Sequence, residues 1–539
     1  MERSIIERLA LVRAHLQAGR VDAALDAARH ASIVDSAPAL GATLHEFAAF
    51  HAFAAQATLL HERATRHPDD YEAALALSSA LHGLGQPGDA VLWAERAHAL
   101  RPHERLPREI RATALVDRGD VERGLAQFAE LLHDADAATA ARYLVLMHYD
   151  PAATNDALFA RLHAFAQTHL PRFGAPFTRS IDRNARRRLR VGWLSPRFAE
   201  GPVASFLPGL LDAFDRTRHR HLLISLQPAR DEATARFEAL ADEWIDLSGL
   251  DDAALLQRLR ALELDVLVDL AGHSTANRIG VVAQRVAPRQ VSWLDWFDTT
   301  AVPTMDAWIS DAWLTPEDST QRYTERVVRL PSGRFCYSAP REAPPASYAG
   351  DGAIVFASFN RLAKLNAEVV AAWASILHRV PGSRLELGAR LLGDEGTRDY
   401  TRERFAAHGI EPDRLGLNGQ RTYAELLGAY RSVDIALDPF PFSGCTTTCD
   451  ALYMGAAVVA RTGETFMSRQ SASLLQRLDH GEWIARDTAD YVERAVAVAA
   501  EVESLRAARE TQRRDVVTRL CDASAQAWDF AAALEALIG

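Results

Sequence analysis

The chain has 539 residues, 48% of them hydrophobic and 24% charged, with a formal net charge of −11. That balance is the one of a globular protein of about three or four domains, and its acidity argues against a general nucleic-acid binder. Four cysteines make no disulfide framework, the charged N-terminus is no leader peptide, and no apolar run nears the ~20 residues of a membrane span, so a cytoplasmic protein is expected.

Residues 1–177 are alanine-rich with a helical period. Gly85 and Gly119 are 34 residues apart, each in a turn between two helices, and Pro68 and Pro102 keep the same spacing just past a second helix. Gly19 precedes Gly85 by 66. A period near 34 with small residues at the helix crossing is the tetratricopeptide pattern, although the copy around Phe53–His67 lacks its glycine. Such helix pairs stack into a curved solenoid whose inner face holds extended peptide, and a plain helical bundle is the alternative. Leu144–His169 reads as two more helices that dock the solenoid onto the α/β region downstream. The basic run Arg183–Arg190 reads as an exposed linker or a patch for an acidic partner.

From 178 to 345 strands alternate with helices. Leu189–Leu194 (LRVGWL) reads as a strand, Ser195–Ser205 as a loop, Phe206–Phe214 as a helix and His221–Leu226 as a strand. Next come helix Ala253–Leu262, strand Asp265–Leu270, loop Ala271–Arg278, a further helix and strand Gln290–Trp293. This alternation predicts a parallel sheet covered by helices, with Ser195–Val203, Ala271–Arg278 and Asp295–Val302 on the rim where ligands bind. The proline-rich Ser338–Asp351 is a hinge. Residues 346–505 repeat the alternation, with strands expected at Ile354–Ala357, Arg384–Leu387, Leu415–Leu417, Ile435–Leu437 and Ala457–Ala460, and residues 506–539 are helical. Neither GxGxxG nor GxxxxGK[ST] occurs, which disfavours a dinucleotide oxidoreductase or a P-loop enzyme.

The richest stretch is Asp434–Asp450, DIALDPFPFSGCTTTCD. Pro439 and Pro441 stop the strand Ile435–Leu437, Gly444 permits a sharp turn, and Cys445, Thr446, Thr447 and Thr448 open a helix expected to run to about Gly455. A helix start presents unpaired N–H groups and the positive dipole end, a ready anion site. Asp450, one turn further, is in range of a sugar hydroxyl, and the bland reading is a plain N-cap. Asn360, Arg361 and Lys364 bring two cations to a strand end, with Lys364 placed for a diphosphate or else an ordinary solvated lysine. Gly463-Glu464-Thr465 forms a further glycine-hinged loop. Cys445 and Cys449 are half of a metal-ligand pattern that no CxxC or HxxxH completes, so no metal is expected.

FNRLAKLN, DPFPFSGCTTTCDALYMG and TGETFMSRQSASLL, together with VDLAGHSTANR, APRQVSW and DWFDTTAVPTMD, resemble in order and spacing the catalytic region of the O-GlcNAc transferase and SPINDLY family. The resemblance is to a bacterial member, and PFPF is also similar to the cytoplasmic N-glucosyltransferases that modify adhesins. It implies an α/β chain of the GT-B fold, two facing parallel-sheet domains preceded by an all-α tetratricopeptide-like solenoid. The activity implied is inverting, metal-independent transfer of a hexose or N-acetylhexosamine from a UDP-sugar to protein side chains. Ser/Thr linkage is the first expectation, and flagellin or an adhesin is the acceptor that family habit suggests.

By position the resemblance places Lys364 on the diphosphate, Thr446 and Thr447 under the phosphates and Asp450 on the ribose. Arg421–Leu426 would flank the uracil, with Tyr423 stacking on the base. Gly272, within Ala271–Ser274, and the backbone at Leu294 and Asp295 would surround the donor sugar. Gly201 stands where the family carries a histidine once proposed as base, and Asp295-Trp296-Phe297 replaces a glycine-tyrosine-proline. Phe442 replaces a smaller residue near the N-acetyl group, which leaves glucose or another hexose open as donor. His273 is either the base or a loop histidine shaping the sugar pocket, with Asp298 and Glu200 as rival bases. The alternatives are a GT-B transferase acting on a glycan or small molecule, and a tetratricopeptide adaptor with a degenerate transferase module. Asn linkage and the oligomeric state stay open.

Overall fold

A computed structural model describes residues 2–50, 52–170, 177–181 and 187–538. In the helical region Tyr71–Gly83 pairs with Pro87–Leu100, and Leu106–Asp117 pairs with Val121–Leu131, the starts recurring after 35 and 34 residues. Gly85 (φ +78°) and Gly119 (φ +95°) make the left-handed turns between partners, a conformation that costs glycine little. Gly119 and the helical Gly88 press against the second sheet domain. A Cβ on Gly119 would stand 3.2 Å from the Leu362 carbonyl oxygen, and one on Gly88 within 2.9 Å of the Gly396 backbone. Gly19 has the same turn geometry but faces open space. The copy without a glycine forms helix Phe53–Arg66 nonetheless.

Ala137–Leu146 and Asn155–His169, linked by the turn Met147–Tyr149, dock the repeats, but the first helix starts seven residues before the expected Leu144–His169, which holds only its end. Their apolar residues share one core cluster with Trp296, Ala363, Phe442 and Met467, so both sheet domains meet the solenoid there.

The first sheet holds β1 (Leu189–Ser195), β2 (His219–Ser225), β3 (Glu243–Asp246), β4 (Val266–Asp269), β5 (Arg289–Ser292), β6 (Ala307–Ser310) and β7 (Arg326–Arg329). All pair in parallel in the order β3-β2-β1-β4-β5-β6-β7. The second holds β8 (Val355–Ser358), β9 (Arg384–Gly388), β10 (Leu415–Asn418), β11 (Ile435–Leu437), β12 (Ala457–Arg461) and β13 (Ile484–Ala485), parallel in the order β10-β9-β8-β11-β12-β13. Helices on both faces explain why β4 and β8 are buried along their whole length. β3, β6, β7 and β13 lie outside the expected strands: β3 (EWID) and β7 (RVVR) are partly exposed and carry charges where β4 and β8 have an apolar run, and β13 is only two residues long.

Three expectations change. The helix after β1 starts at Pro202, not Phe206, because Gly201 caps it at φ +144° and Pro202 supplies a preset first turn. The C-terminal helices bridge the halves: Val502–Leu520 packs on Thr446–Tyr453, and Ala523–Ile538 on Pro202–Ala213. The described arginines of the basic run are held within the molecule rather than offered to a partner. Arg187 and Arg179 bond the buried Asp265, Arg188 bonds Asp242, and Arg190 bonds the Leu262 carbonyl. Residues 183–186 lie outside the described residues. Among the described residues no helix is long and apolar enough to cross a membrane.

Candidate nucleotide-sugar site

In each sheet the strand order reverses beside its first strand, between β1 and β4 and between β8 and β11. Such a reversal opens a crevice beyond the carboxyl ends of the strands. The segments leaving β8 and β11 are Asn360–Lys364 and Asp438–Cys445, so topology alone brings the predicted cations to the predicted helix start.

Lys364 Nζ donates to the Ser443 carbonyl (2.8 Å) and to Asn360 Oδ1 (3.1 Å), and lies 4.6 Å from the centre of the Phe442 ring. Asn360 Oδ1 also accepts from Thr447 Oγ1 at 3.2 Å, tying the two segments together. Asp438, which closes β11, accepts the Gly444 N–H at 2.6 Å. A Cβ on Gly444 would come within 2.7 Å of that carboxylate and 2.5 Å of Thr448 Oγ1, so only glycine fits the turn. Beyond it runs the helix Thr446–Tyr453, with Cys445 as N-cap residue. Burial pulls the Lys364 ammonium below the usual lysine range, against the pull of Asp438, and burial pushes the Asp438 carboxyl up. Burial likewise raises the Cys445 thiol. Among the described residues no group of three or more His, Cys, Asp or Glu is placed to hold a metal ion.

Asp450 is buried and accepts two phenol protons, from Tyr337 at 2.6 Å and Tyr423 at 2.9 Å. Burial pushes its carboxyl up to about 6. Tyr423 is exposed, and its hydroxyl is engaged by the residue assigned to the ribose, at the start of the helix Tyr423–Ala429 that Thr422 caps. Leu426, one turn on, is half-buried against the core.

On the first-half rim, Gly272 (φ +52°) sits where a Cβ would meet the Trp296 side chain at 2.5 Å. Its N–H donates to the buried Asp269 at 2.8 Å, whose carboxyl burial raises to about 7. Asp295 lies 3.6 Å from Arg197 and is raised by burial. His273 is buried against Phe165 and Trp296. Its Nε2 donates to the Thr300 carbonyl at 2.7 Å, which leaves Nδ1 as an unpartnered acceptor, and burial drops its basicity to about 4.

Asp298 is not placed as a rival base. It is buried, and its oxygens face His148 Nε2 (3.1 Å), Gln321 Nε2 (2.8 Å) and the Thr299 N–H (2.7 Å). Gln321 in turn accepts the Phe466 N–H at 2.6 Å. This carboxylate joins the helical region to both sheets, a structural use that sequence spacing does not reveal. Glu200 lies exposed on the rim.

Arg361 marks the junction of all three parts. The Tyr149 phenol of the helical region and Asp295 of the first sheet hold its guanidinium charged, Tyr149 foremost. Phe442 stacks on Tyr149 (centroids 5.1 Å apart) and meets Phe297 edge-on at 4.6 Å. Beside this junction a cavity of about 590 Å³ runs between His273–Asn277, Arg361–Ala363 and the helical residues Thr113, Arg142 and Tyr149. A second, of about 560 Å³, shares Thr113 and Arg142 and continues along the repeats past Leu75, His82 and Ile110. Asp438, Tyr337 and Tyr149 escaped the sequence reading. Asp438 carried a signal, as a carboxylate closing an apolar strand, whereas the two tyrosines carried none.

Residues 164–338 and 346–525 match the model of glycosyl transferase family 41. A Petunia hybrida protein described as a probable UDP-N-acetylglucosamine–peptide N-acetylglucosaminyltransferase SPINDLY is 33% identical over 350 residues, 63% of this chain and 38% of that one. The Arabidopsis thaliana protein of the same description is 33% identical over 335 residues, 61% of this chain and 37% of its own. The chain spans about two-fifths of the length of the curated relatives it matches. In structure it is similar to a mutant of the Thermobaculum terrenum O-GlcNAc transferase, with a TM-score of 0.84 and 31% identity over 95% of this chain and 98% of that one. That likeness, sheets and helical repeats together, makes the architecture GT-B. The chain belongs to glycosyl transferase family 41.

Proposed function

We propose that the protein moves a sugar from a UDP-sugar to side chains of a polypeptide, with inversion and without a metal. The observation that carries this reading is the meeting of Lys364 with the loop Ser443–Cys445 and the helix start behind it, at the reversal point of the second sheet. An acceptor oxygen forms the new bond to the anomeric carbon as the bond to the diphosphate breaks. The departing electron pair goes to the diphosphate oxygen, where Lys364 and the helix N–H groups oppose the charge that develops. The acceptor proton leaves to a base, for which His273 Nδ1 is the free acceptor on the rim. The connected cavities along the helical region supply the path for an extended polypeptide, with a serine or threonine presented beside Arg361. The printed descriptions of the relatives, peptide N-acetylglucosaminyltransferases, point to the same class of acceptor.

The test is incubation with isotope-labelled UDP-glucose and UDP-GlcNAc and a bacterial lysate, with and without EDTA, followed by mass spectrometry. Label on polypeptide side chains, undiminished by EDTA, is expected. Label on small glycans alone, or no binding of UDP, refutes the reading.

A further inference from the structure

The two cavities that meet at Thr113 and Arg142 carry an uneven set of charges. Three carboxylates line them, and each is already engaged by the protein. Asp117 accepts from His82 at 2.8 Å, and Glu72 from Arg101 at 3.0 Å. Glu109 bonds both Arg105 and the Thr139 hydroxyl (3.0 Å). Arg361, where the larger cavity reaches the rim, is matched by Tyr149 and Asp295.

Two lining cations have no such match. Arg142, on the helix Ala137–Leu146, lines both cavities. Among the described residues its guanidinium meets only the Thr113 hydroxyl, at 3.5 Å. Arg390 opens the short turn Arg390–Gly393 just past the carboxyl end of β9, on the rim that also carries Lys364. A Cβ on Gly85 would stand 3.3 Å from Arg390 Cζ, so this guanidinium crosses the seam to a turn of the repeats. Among the described residues neither arginine is paired with a carboxylate. Both are exposed, so water solvates them and an incoming anion can replace it. Low-dielectric walls focus the field of unmatched charges into a cleft, and the planar guanidinium fork fits a carboxylate.

We propose that Arg142 and Arg390 form a subsite for an acidic side chain of the acceptor polypeptide, an aspartate or glutamate on the stretch that runs from Arg361 toward the repeats. This rests on the polypeptide-acceptor reading above and adds to it the chemistry of the sequence that is chosen. One arginine comes from the helical region and the other from the second sheet domain, so the preference belongs to the assembled chain and to neither part alone.

The experiment measures transfer of labelled sugar from UDP-glucose or UDP-GlcNAc to synthetic peptides. Each holds one serine and a single aspartate, asparagine or lysine moved through the positions on either side. With the parent chain, kcat/KM is expected to be about five-fold or more higher for aspartate than for asparagine at one or more positions, and lower for lysine. That ratio shrinks as salt is raised from ~50 to ~500 mM. Arg142→Gln with Arg390→Gln is expected to bring the ratio to within about two-fold of one. Arg142→Glu with Arg390→Glu is expected to reverse the order at the same positions, in favour of lysine, which loss of a merely structural contact would not do. A ratio near one in the parent chain, or a preference that both double variants retain, overturns this inference and leaves the polypeptide-acceptor reading standing. Transfer to lysate protein but to none of the peptides does the same. Transfer to neither overturns that reading, and this inference with it.

Discussion

The ammonium of Lys364 stands 2.8 Å from the Ser443 carbonyl and 3.1 Å from Asn360 Oδ1. Two of its three protons are thus used by the protein, leaving one for a ligand oxygen. Lys364→Met is expected to lower turnover by ~10²-fold or more, the scale of losing one donor to a developing oxyanion. Because the side chain is half-buried at a crevice edge, the melting temperature should hardly move. A variant that keeps more than a tenth of the rate removes Lys364 from the leaving-group role.

The same burial sets a pH dependence. Lys364 must be protonated to oppose the diphosphate, and burial lowers the pH at which it loses its proton. Activity is therefore expected to fall as pH rises, at a pH below the ~10.4 of a free lysine. The pH profile of kcat/KM checks this, and a profile that stays level up to the free-lysine value contradicts it.

His273 gives the acid side. With Nε2 spent on the Thr300 carbonyl and burial holding its basicity near 4, the ring is neutral at every pH above that value. If Nδ1 takes the acceptor proton, the acid limb of kcat/KM lies well below the ~6.5 of a free histidine, and His273→Ala costs ~10²–10⁴ in rate. Single-turnover rates of that variant decide it, since retention of about a tenth or more leaves His273 only shaping the sugar pocket.

Asp298→Ala is expected to act on stability instead. It would strand His148 and Gln321, buried partners on the helical region and the first sheet, and breaking a buried charge-bonded cluster costs about 3–5 kcal/mol. Denaturant unfolding measures this. A variant as stable as its parent but inactive would return Asp298 to the chemistry.

Phe442 is wedged between Tyr149 and Phe297, with its ring beside Lys364. If it fills the space of an acetamide group, the parent hydrolyses UDP-glucose faster than UDP-GlcNAc, and Phe442→Ala shifts the ratio toward GlcNAc by about ten-fold, the scale at which pocket volume discriminates. A strong GlcNAc preference in the parent chain refutes the assignment.

Sequence reading reached furthest where local rules act. The spacing of Gly85 and Gly119 located two helix turns, since a left-handed turn needs glycine whatever surrounds it. The breakers Pro439, Pro441 and Gly444 bounded β11 and the helix after it to within two residues. It reached least where a residue's partner is distant in the chain. Asp298 and Tyr423 were singled out for the right region, yet their uses depend on His148, 150 residues away, and on Asp450, 27 away.

Chain order alone sets the alternation of strands and helices, the helical repeat and the identity of the phosphate-type turn, because backbone propensity and apolar period are written residue by residue. Which charges are free to meet a ligand is settled only in three dimensions. Lys364 and Asp298 both carry ionisable side chains, and nothing in the linear chain tells their uses apart. Their roles diverge because burial and the geometry of distant donors, neither of which a linear order specifies, leave the first at a crevice and consume the second.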